Sequence, residues 1–350
     1  MAEREALLTV EDLVVRFATP DGVVEAVRGV SWSVAPGRVL GIVGESGAGK
    51  SVSAMAVMGL LPATAEVEGL VRFRGTELLG MRPRALNAFR GEKIAMIFQD
   101  PMSSLNPVHT IGWQLAEAVR VHRDVSRRQA RSRSVELLEL VGIPGAAHLT
   151  KRYPHQLSGG MRQRVVIAMA MANDPDVIIA DEPTTALDVT VQAQILETLQ
   201  RARQATGAAM VLITHDLGVI AGAADEVVVM YAGRVVESGS VEDVFSRPRM
   251  PYTVGLLGSL PRLEAGGSRR LTPISGSPPS LIDLAPGCPF CPRCPLATGE
   301  CRCEEPVLGS VDHQPGHRVA CHRVEQVAKV GAGTLFATAV ADSDLPEVRT

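Results

Sequence analysis

The eight residues Gly44-Glu45-Ser46-Gly47-Ala48-Gly49-Lys50-Ser51 follow directly on an apolar run, Val39 to Val43, and fit the spacing G-x-x-x-x-G-K-[ST]. A short apolar run bounded by turn residues reads as a buried strand, so this part of the chain is constrained to strand, tight loop and helix start in that order. Glycines let successive backbone N–H groups turn inward around a polyphosphate. Lys50 then reaches the β- and γ-phosphates, and the Ser51 hydroxyl is a Mg²⁺ ligand at a helix N-terminus whose dipole favours anions. The pattern implies a nucleotide.

A second apolar run, Val177-Ile178-Ile179-Ala180, ends in Asp181 and Glu182. A parallel strand of this kind delivers Asp181 to the metal and Glu182 to an attacking water, the Walker B arrangement. Acidic residues also close many strands as solvated turns; joint occurrence with the phosphate loop favours the chemical reading. Between the two lies Leu157-Ser158-Gly159-Gly160-Met161-Arg162-Gln163-Arg164, a Gly-Gly turn feeding a helical pattern through Val165, Ile167 and Ala168. It reads either as a second anion-binding helix start or as an ordinary loop-to-helix junction.

Leu-Ser-Gly-Gly followed by Gln resembles the signature of the ATP-binding cassette (ABC) ATPases. That resemblance implies an α/β fold of the P-loop NTPase type: a mixed sheet with helices, an antiparallel β lid and a helical subdomain. It also implies that ATP is sandwiched between two subunits. One offers the phosphate loop, with Gly44, Ser46, Gly47, Ala48, Gly49, Lys50, Ser51 and Val52 as ATP contacts. The other closes over the γ-phosphate with Ser158, Gly159, Gly160 and Gln163. Gln99 resembles the Q-loop, Ala186-Leu187-Asp188 the D-loop, and His215 the switch histidine. Phe17 sits where the family places the aromatic that stacks on adenine; by itself, alternating with Val15 and Leu13, it reads equally as a core residue of a strand. On this resemblance Glu182 orients or deprotonates water, His215 contacts the γ-phosphate, and Ser51, Asp181 and Gln99 hold Mg²⁺.

The chain has 350 residues with 46% hydrophobic content, enough for one large α/β domain and an appendage, and its formal net charge of −3 offers no basic field for nucleic acid. No apolar run approaches the roughly 18 residues that span a bilayer. The start Met-Ala-Glu-Arg-Glu lacks the order of a secretion signal, so a cytoplasmic chain is expected. Leu7 to Phe17 and Val23 to Val34 alternate around Pro20-Asp21-Gly22 and read as the antiparallel lid. From Gln99 to about Asn173 the pattern turns helical, and the Arg-rich stretch Arg123 to Arg133 reads as a solvated helix face. The expected division is a nucleotide-binding domain over 1–250, its helical subdomain near 99–173, an extension over 251–325 and a flexible tail over 326–350.

The run Met96-Ile97-Phe98-Gln99-Asp100-Pro101-Met102-Ser103-Ser104-Leu105-Asn106-Pro107 is similar to the oligopeptide, dipeptide and nickel importer branch, as are Pro251-Tyr252-Thr253 and Pro278-Pro279-Ser280-Leu281. The branch implies an ATPase subunit that powers peptide uptake at the cytoplasmic face of the cell membrane. Its implied partners are a related second ATPase chain, two transmembrane permease subunits and, indirectly, an extracytoplasmic solute-binding protein. Two alternatives stand beside it: an importer of nickel or another small cargo, and a soluble ABC ATPase acting on a ribosome or DNA. A single cassette and the lack of a sustained heptad run oppose the latter.

All six cysteines fall between Cys288 and Cys321, in sequence too rich in Pro and Gly for a core of its own. In the cytoplasm a metal is the expected cross-link rather than a disulfide. Zinc suits the overlapping C-x-x-C pairs of Cys288, Cys291 and Cys294, finished by Cys301, Cys303, His313 or His317. Resemblance to the importer branch instead implies a [4Fe–4S] cluster on a C-x5-C-x6-C-x19-C frame, with Cys288, Cys294, Cys301 and Cys321 as ligands. Cys291 and Cys303 stand outside that frame. The group is expected to act as staple or sensor, not in hydrolysis.

Overall fold

The structure, a computed structural model, describes residues 6–185, 187–259, 274–311, 316–330 and 335–336; Ala186, His313 and most of the expected tail lie outside them. The alternating opening section forms β1 (Leu8–Thr19) and β2 (Gly22–Val34), an antiparallel hairpin closed at the pair Thr19 and Gly22. β3 (Val39–Val43) leads through the phosphate loop into the helix Lys50–Val57. β4 (Ala65–Phe73) and β5 (Thr76–Glu77) complete a four-stranded sheet in the order β2-β1-β4-β5.

A second sheet contains β3 together with β6 (Ile94–Ile97), β7 (Val177–Asp181), β8 (Ala209–Thr214), β9 (Glu226–Tyr231), β10 (Arg234–Ser240), β11 (Gly309–Ser310) and β12 (Arg318–Val319). Its order is β11-β12-β10-β9-β3-β8-β7-β6. The strands from β9 to β6 pair in parallel, and those beyond β9 antiparallel.

Successive side chains on a strand point to opposite faces, and a parallel strand covered on both faces is apolar throughout. Val39 and Val43 of β3, Ile178 and Ala180 of β7, and Met210 and Leu212 of β8 enter one core, shared with Ile111, Leu115, Leu137 and Val165 from the helical segment. Leu40 and Ile42, Val177 and Ile179, and Val211 and Ile213 enter the other, shared with Leu13 and Val15 of β1 and Ala54 and Val57 after the phosphate loop. One set of strands thus anchors both the helical segment and the four-stranded sheet.

Between Gln99 and Asn173 the chain forms the helices Pro101–Ser104, Ile111–Arg120, Arg127–Leu140, Ala146–Leu149 and Gly159–Ala170. Ser126 and Gln129 make a reciprocal capping box that opens the Arg-rich helix. Arg123 and Arg133 both donate to Asp174, at 2.8 and 2.7 Å.

The Cys-rich segment borrows the core of the larger domain. Phe290 is fully buried, edge-on to Tyr231 at 5.3 Å and to Tyr252 at 5.4 Å. β12 extends the main sheet through β10, pairing Val319 with Glu237 and Arg318 with Ser238. Glu237 Oε1 lies 2.8 Å from His317 Nε2, both side chains 0% exposed. The Glu237 carboxyl also accepts the backbone N–H groups of Arg249 and Met250. A buried carboxyl is costly unless so satisfied, and this pairing fixes the register of β12.

Candidate nucleotide site

Each expected catalytic side chain sits at or just beyond the C-terminal end of a parallel strand: the phosphate loop after β3, Gln99 after β6, Asp181 and Glu182 at the end of β7, and His215 after β8. Open α/β sheets bind ligands at that edge.

Gly49 has φ +94 as the N-cap of the helix Lys50–Val57, and a Cβ there would collide with the carbonyl oxygen of Ala26. Gly44 is equally constrained, by the carbonyl of Met230. Lys50 is 4% exposed and donates from Nζ to the carbonyl oxygens of Gly44 at 2.8 Å and Glu45 at 3.0 Å. Burial pushes its pKa down, opposed by the charges of Glu182, Asp181 and Glu45. An ammonium held by two carbonyls in a dry loop is a donor that a phosphate oxygen can take over.

Ser51 donates its hydroxyl to Asp181 Oδ1 at 2.8 Å. Burial raises the pKa of Asp181, against the Ser51 hydrogen bond that lowers it. Two hard oxygen donors brought together in a site that penalises an uncompensated carboxylate suit Mg²⁺, which takes oxygen ligands and keeps several waters. Glu182 adopts φ +45, the left-handed region, directly after the strand. Its Oε2 accepts from Gln99 Nε2 at 3.0 Å and from Thr185 Oγ1 at 2.8 Å, and its Oε1 lies 3.2 Å from His215 Nδ1. Burial opposes its ionisation but is outweighed by Thr185, His215 and Lys50, so its pKa lies below the ordinary value. Glu182 is therefore an ionised acceptor near neutral pH, with backbone strain of the kind that collects at functional sites.

Gln99 and His215 thus join Glu182 directly, while Ser51 and Asp181 form the adjacent donor pair. Thr185 is a member that sequence reasoning missed; the signal was a hydroxyl three residues after Glu182, within reach of a carboxylate held in a turn. Val52 and Phe17 are partly buried against the core shared with the four-stranded sheet. Val24, the cross-strand partner of Phe17, lines a cavity of about 340 Å³ with Glu45, Ser46, Gly47 and Ala48.

Ser158 caps the helix Gly159–Ala170, its hydroxyl accepting from the Met161 N–H at 3.4 Å. Asp188 caps the helix Val189–Thr206, accepting from Val191 N–H at 2.9 Å. A Cβ on Gly160 would press on Val191 at 2.8 Å, so the first helix starts close against the second. Gln163 is 1% exposed, one turn along this helix, whereas Ser158 and Gly159 at its start are exposed.

Residues 27–185 match the ABC transporter family, and residues 236–301 match the family described as oligopeptide/dipeptide transporter, C-terminal region. The dipeptide transport ATP-binding protein DppD of Bacillus subtilis (strain 168) is 49% identical over 327 residues, covering 93% of this chain and 97% of that protein. The chain belongs to the ABC transporter family. The oligopeptide transport ATP-binding protein OppD of Mycobacterium tuberculosis (strain ATCC 25618 / H37Rv) is 58% identical over 331 residues, 94% of this chain; the chain spans about half of that relative, 54% of its length. The OppD protein of Escherichia coli (strain K12) is 50% identical over 321 residues, covering 92% of this chain and 94% of that protein. Among solved structures, a dimeric ATP-binding cassette in a post-hydrolysis state bound to ADP and Pi is 26% identical with a TM-score of 0.60, covering 67% of this chain and 98% of that chain.

Beyond the ABC cassette, Cys288, Cys291, Cys294, Cys301 and Cys321 border one small cavity with Phe290 and His322; Cys303 is exposed and stands apart. Cys291, expected to be spare, therefore shares the cavity with the frame cysteines. Burial pushes the thiols up, Cys288 and Cys321 to about 11 and Cys294 to about 12. Thiol donors are of the type that binds soft metals. Among the described residues no group of three or more His, Cys, Asp or Glu is gathered so as to hold a metal ion, and the expected metal-stapled extension is not supported as such. Aromatic packing, the β10–β12 pairing and the Glu237–His317 contact already bind this segment to the ABC domain.

Among the described residues no helix is long and apolar enough to cross a membrane.

Proposed function

We propose that this chain hydrolyses ATP to ADP and phosphate and, as a peripheral subunit at the cytoplasmic face of the membrane, powers uptake of oligopeptides or dipeptides through two permease subunits. The names of its relatives support the peptide cargo, and its match to the transporter C-terminal region supports the branch. A related ATPase chain completes each sandwich by offering its own signature helix. A solute-binding protein delivers the peptide from outside.

The observation that carries this reading is the convergence of Gln99, Thr185 and His215 on Glu182, beside the pair Ser51 and Asp181. Glu182 holds or deprotonates the water that attacks the γ-phosphorus; a phosphorus–oxygen bond to that water forms as the bond to the β-γ bridging oxygen breaks. Lys50 and His215 stabilise negative charge developing on the equatorial oxygens. Ser51, Asp181 and Gln99 would hold Mg²⁺, which would supply neutralisation of phosphate charge. Val24 and Phe17 place the base on the four-stranded sheet.

We also take residues 251–325 as the branch-specific extension to the cassette of residues 1–250, and propose that Cys288, Cys294, Cys301 and Cys321 receive a [4Fe–4S] cluster, in preference to zinc. Their common cavity supports it. No step of hydrolysis involves this group.

Co-purification with permease subunits, followed by peptide-stimulated ATP hydrolysis, tests the function. Recovery with ribosomes or DNA and no permease would favour the non-transport alternative.

A further inference from the structure

We propose that Arg293, in the Cys-rich segment, is a positioning residue for the phosphate loop that acts through Glu45; the inference deepens the ATPase reading and rests on it. Arg293 Nη1 and Nη2 donate to the two carboxylate oxygens of Glu45 at 2.7 and 2.9 Å, a bidentate pair joining residues far apart in the chain. Nη1 also donates to Tyr231 Oη at 3.2 Å, and Nε to the carbonyl of Ser275 at 3.1 Å. The guanidinium carbon lies 5.9 Å from the ring centroid of Tyr231 and 5.8 Å from that of Phe290. The Arg293 side chain is 6% exposed, so its fork is fixed by packing as well as by charge.

Glu45 is the second residue of the phosphate loop, and it is held at three points. Arg293 takes its carboxylate, Tyr252 Oη accepts its N–H at 2.7 Å, and Lys50 Nζ donates to its carbonyl. Two of these three holds, Arg293 and Tyr252, come from outside the ABC core match at residues 27–185. The same extension supplies Pro278, Pro279, Leu281 and Ile282 to the cavity lined by Glu45 to Ala48. Its contact with the loop is therefore continuous with the nucleotide site.

The physical consequence has a sign. An anionic Glu45 beside a site built for a polyphosphate repels the ligand, and a fixed guanidinium cancels that charge while holding the loop backbone in place. Loss of Arg293 releases both effects, whereas loss of the Glu45 charge in the same molecule removes the repulsion. A residue that merely props up the fold would show no such rescue.

The test compares Arg293→Ala, Arg293→Lys, Glu45→Gln and the Arg293→Ala/Glu45→Gln double variant in the full complex, reading ATP affinity, KM and kcat. Arg293→Ala is expected to weaken ATP binding and raise KM about tenfold, with kcat changed less than about threefold, in line with loss of a charge-assisted bidentate pair. Arg293→Lys, which keeps charge and stem packing, should fall between wild type and Ala. The double variant should recover to within about threefold of wild type, because coupled charges give non-additive cycles. ATP affinity in a folded Arg293→Ala protein equal to wild type, or losses that simply multiply in the double variant, would overturn the proposal. A wild-type complex that binds ATP yet never hydrolyses it defeats the ATPase reading, and the affinity cycle still decides Arg293.

Discussion

Ser51 and Asp181 are 130 residues apart in sequence, and the hydroxyl of one donates to the carboxylate of the other across 2.8 Å. The contact joins the phosphate loop after β3 to the end of β7. It predicts that Ser51→Ala raises the Mg²⁺ concentration for half-maximal ATP hydrolysis by about 10–100-fold, the scale seen when metal-site partners are removed. Titration of activity with Mg²⁺ at saturating ATP checks this; an unchanged Mg²⁺ requirement would remove Ser51 from the metal site.

Thr185 holds one oxygen of Glu182, leaving the other for His215. Thr185→Val keeps the shape and deletes the hydrogen bond. The expected result is a kcat lowered by about 10–100-fold, the size of one lost hydrogen bond to a charged group, with ATP affinity retained. Steady-state kinetics of the complex would show the split.

Phe290 ties the Cys-rich segment to Tyr231 and Tyr252 through edge-on ring contacts. Phe290→Ala should destabilise the chain by about 3–5 kcal/mol through lost burial and a cavity. Denaturant unfolding measures it. A cost below about 1 kcal/mol would mean that the segment does not share the domain core.

The contiguous parts of the site were legible because each motif carries its own geometry. The glycines around Lys50, the apolar run before Asp181 and Glu182, and the run before His215 announce loop and strand ends at once. What joins them was not legible. Thr185 looks like one hydroxyl among several, and nothing near Glu45 in sequence indicates Arg293 as its partner. Gln163 lies in a recognisable motif, but its burial follows from helical rotation, which the motif itself does not announce. The Cys-rich segment was legible as needing support, yet its attachment through Phe290 and the Glu237–His317 pair depends on residues folded together across the sheet edge.

Metal content tests the thiol cavity separately. Chain purified without oxygen should carry iron and acid-labile sulfide in equal amounts, and Cys294→Ser should lose both while the chain still binds ATP. Stoichiometric zinc with no iron would overturn the cluster and leave the nucleotide site as described.

Glu182 carries the central claim, since Gln99, Thr185 and His215 all converge on it. The decisive measurement is single-turnover and steady-state ATP hydrolysis by the full complex bearing Glu182→Gln, alongside ATP binding. Hydrolysis reduced by at least about 10²-fold with ATP still bound is the predicted result, the loss expected when a general base is removed. Hydrolysis at the wild-type rate would contradict the account.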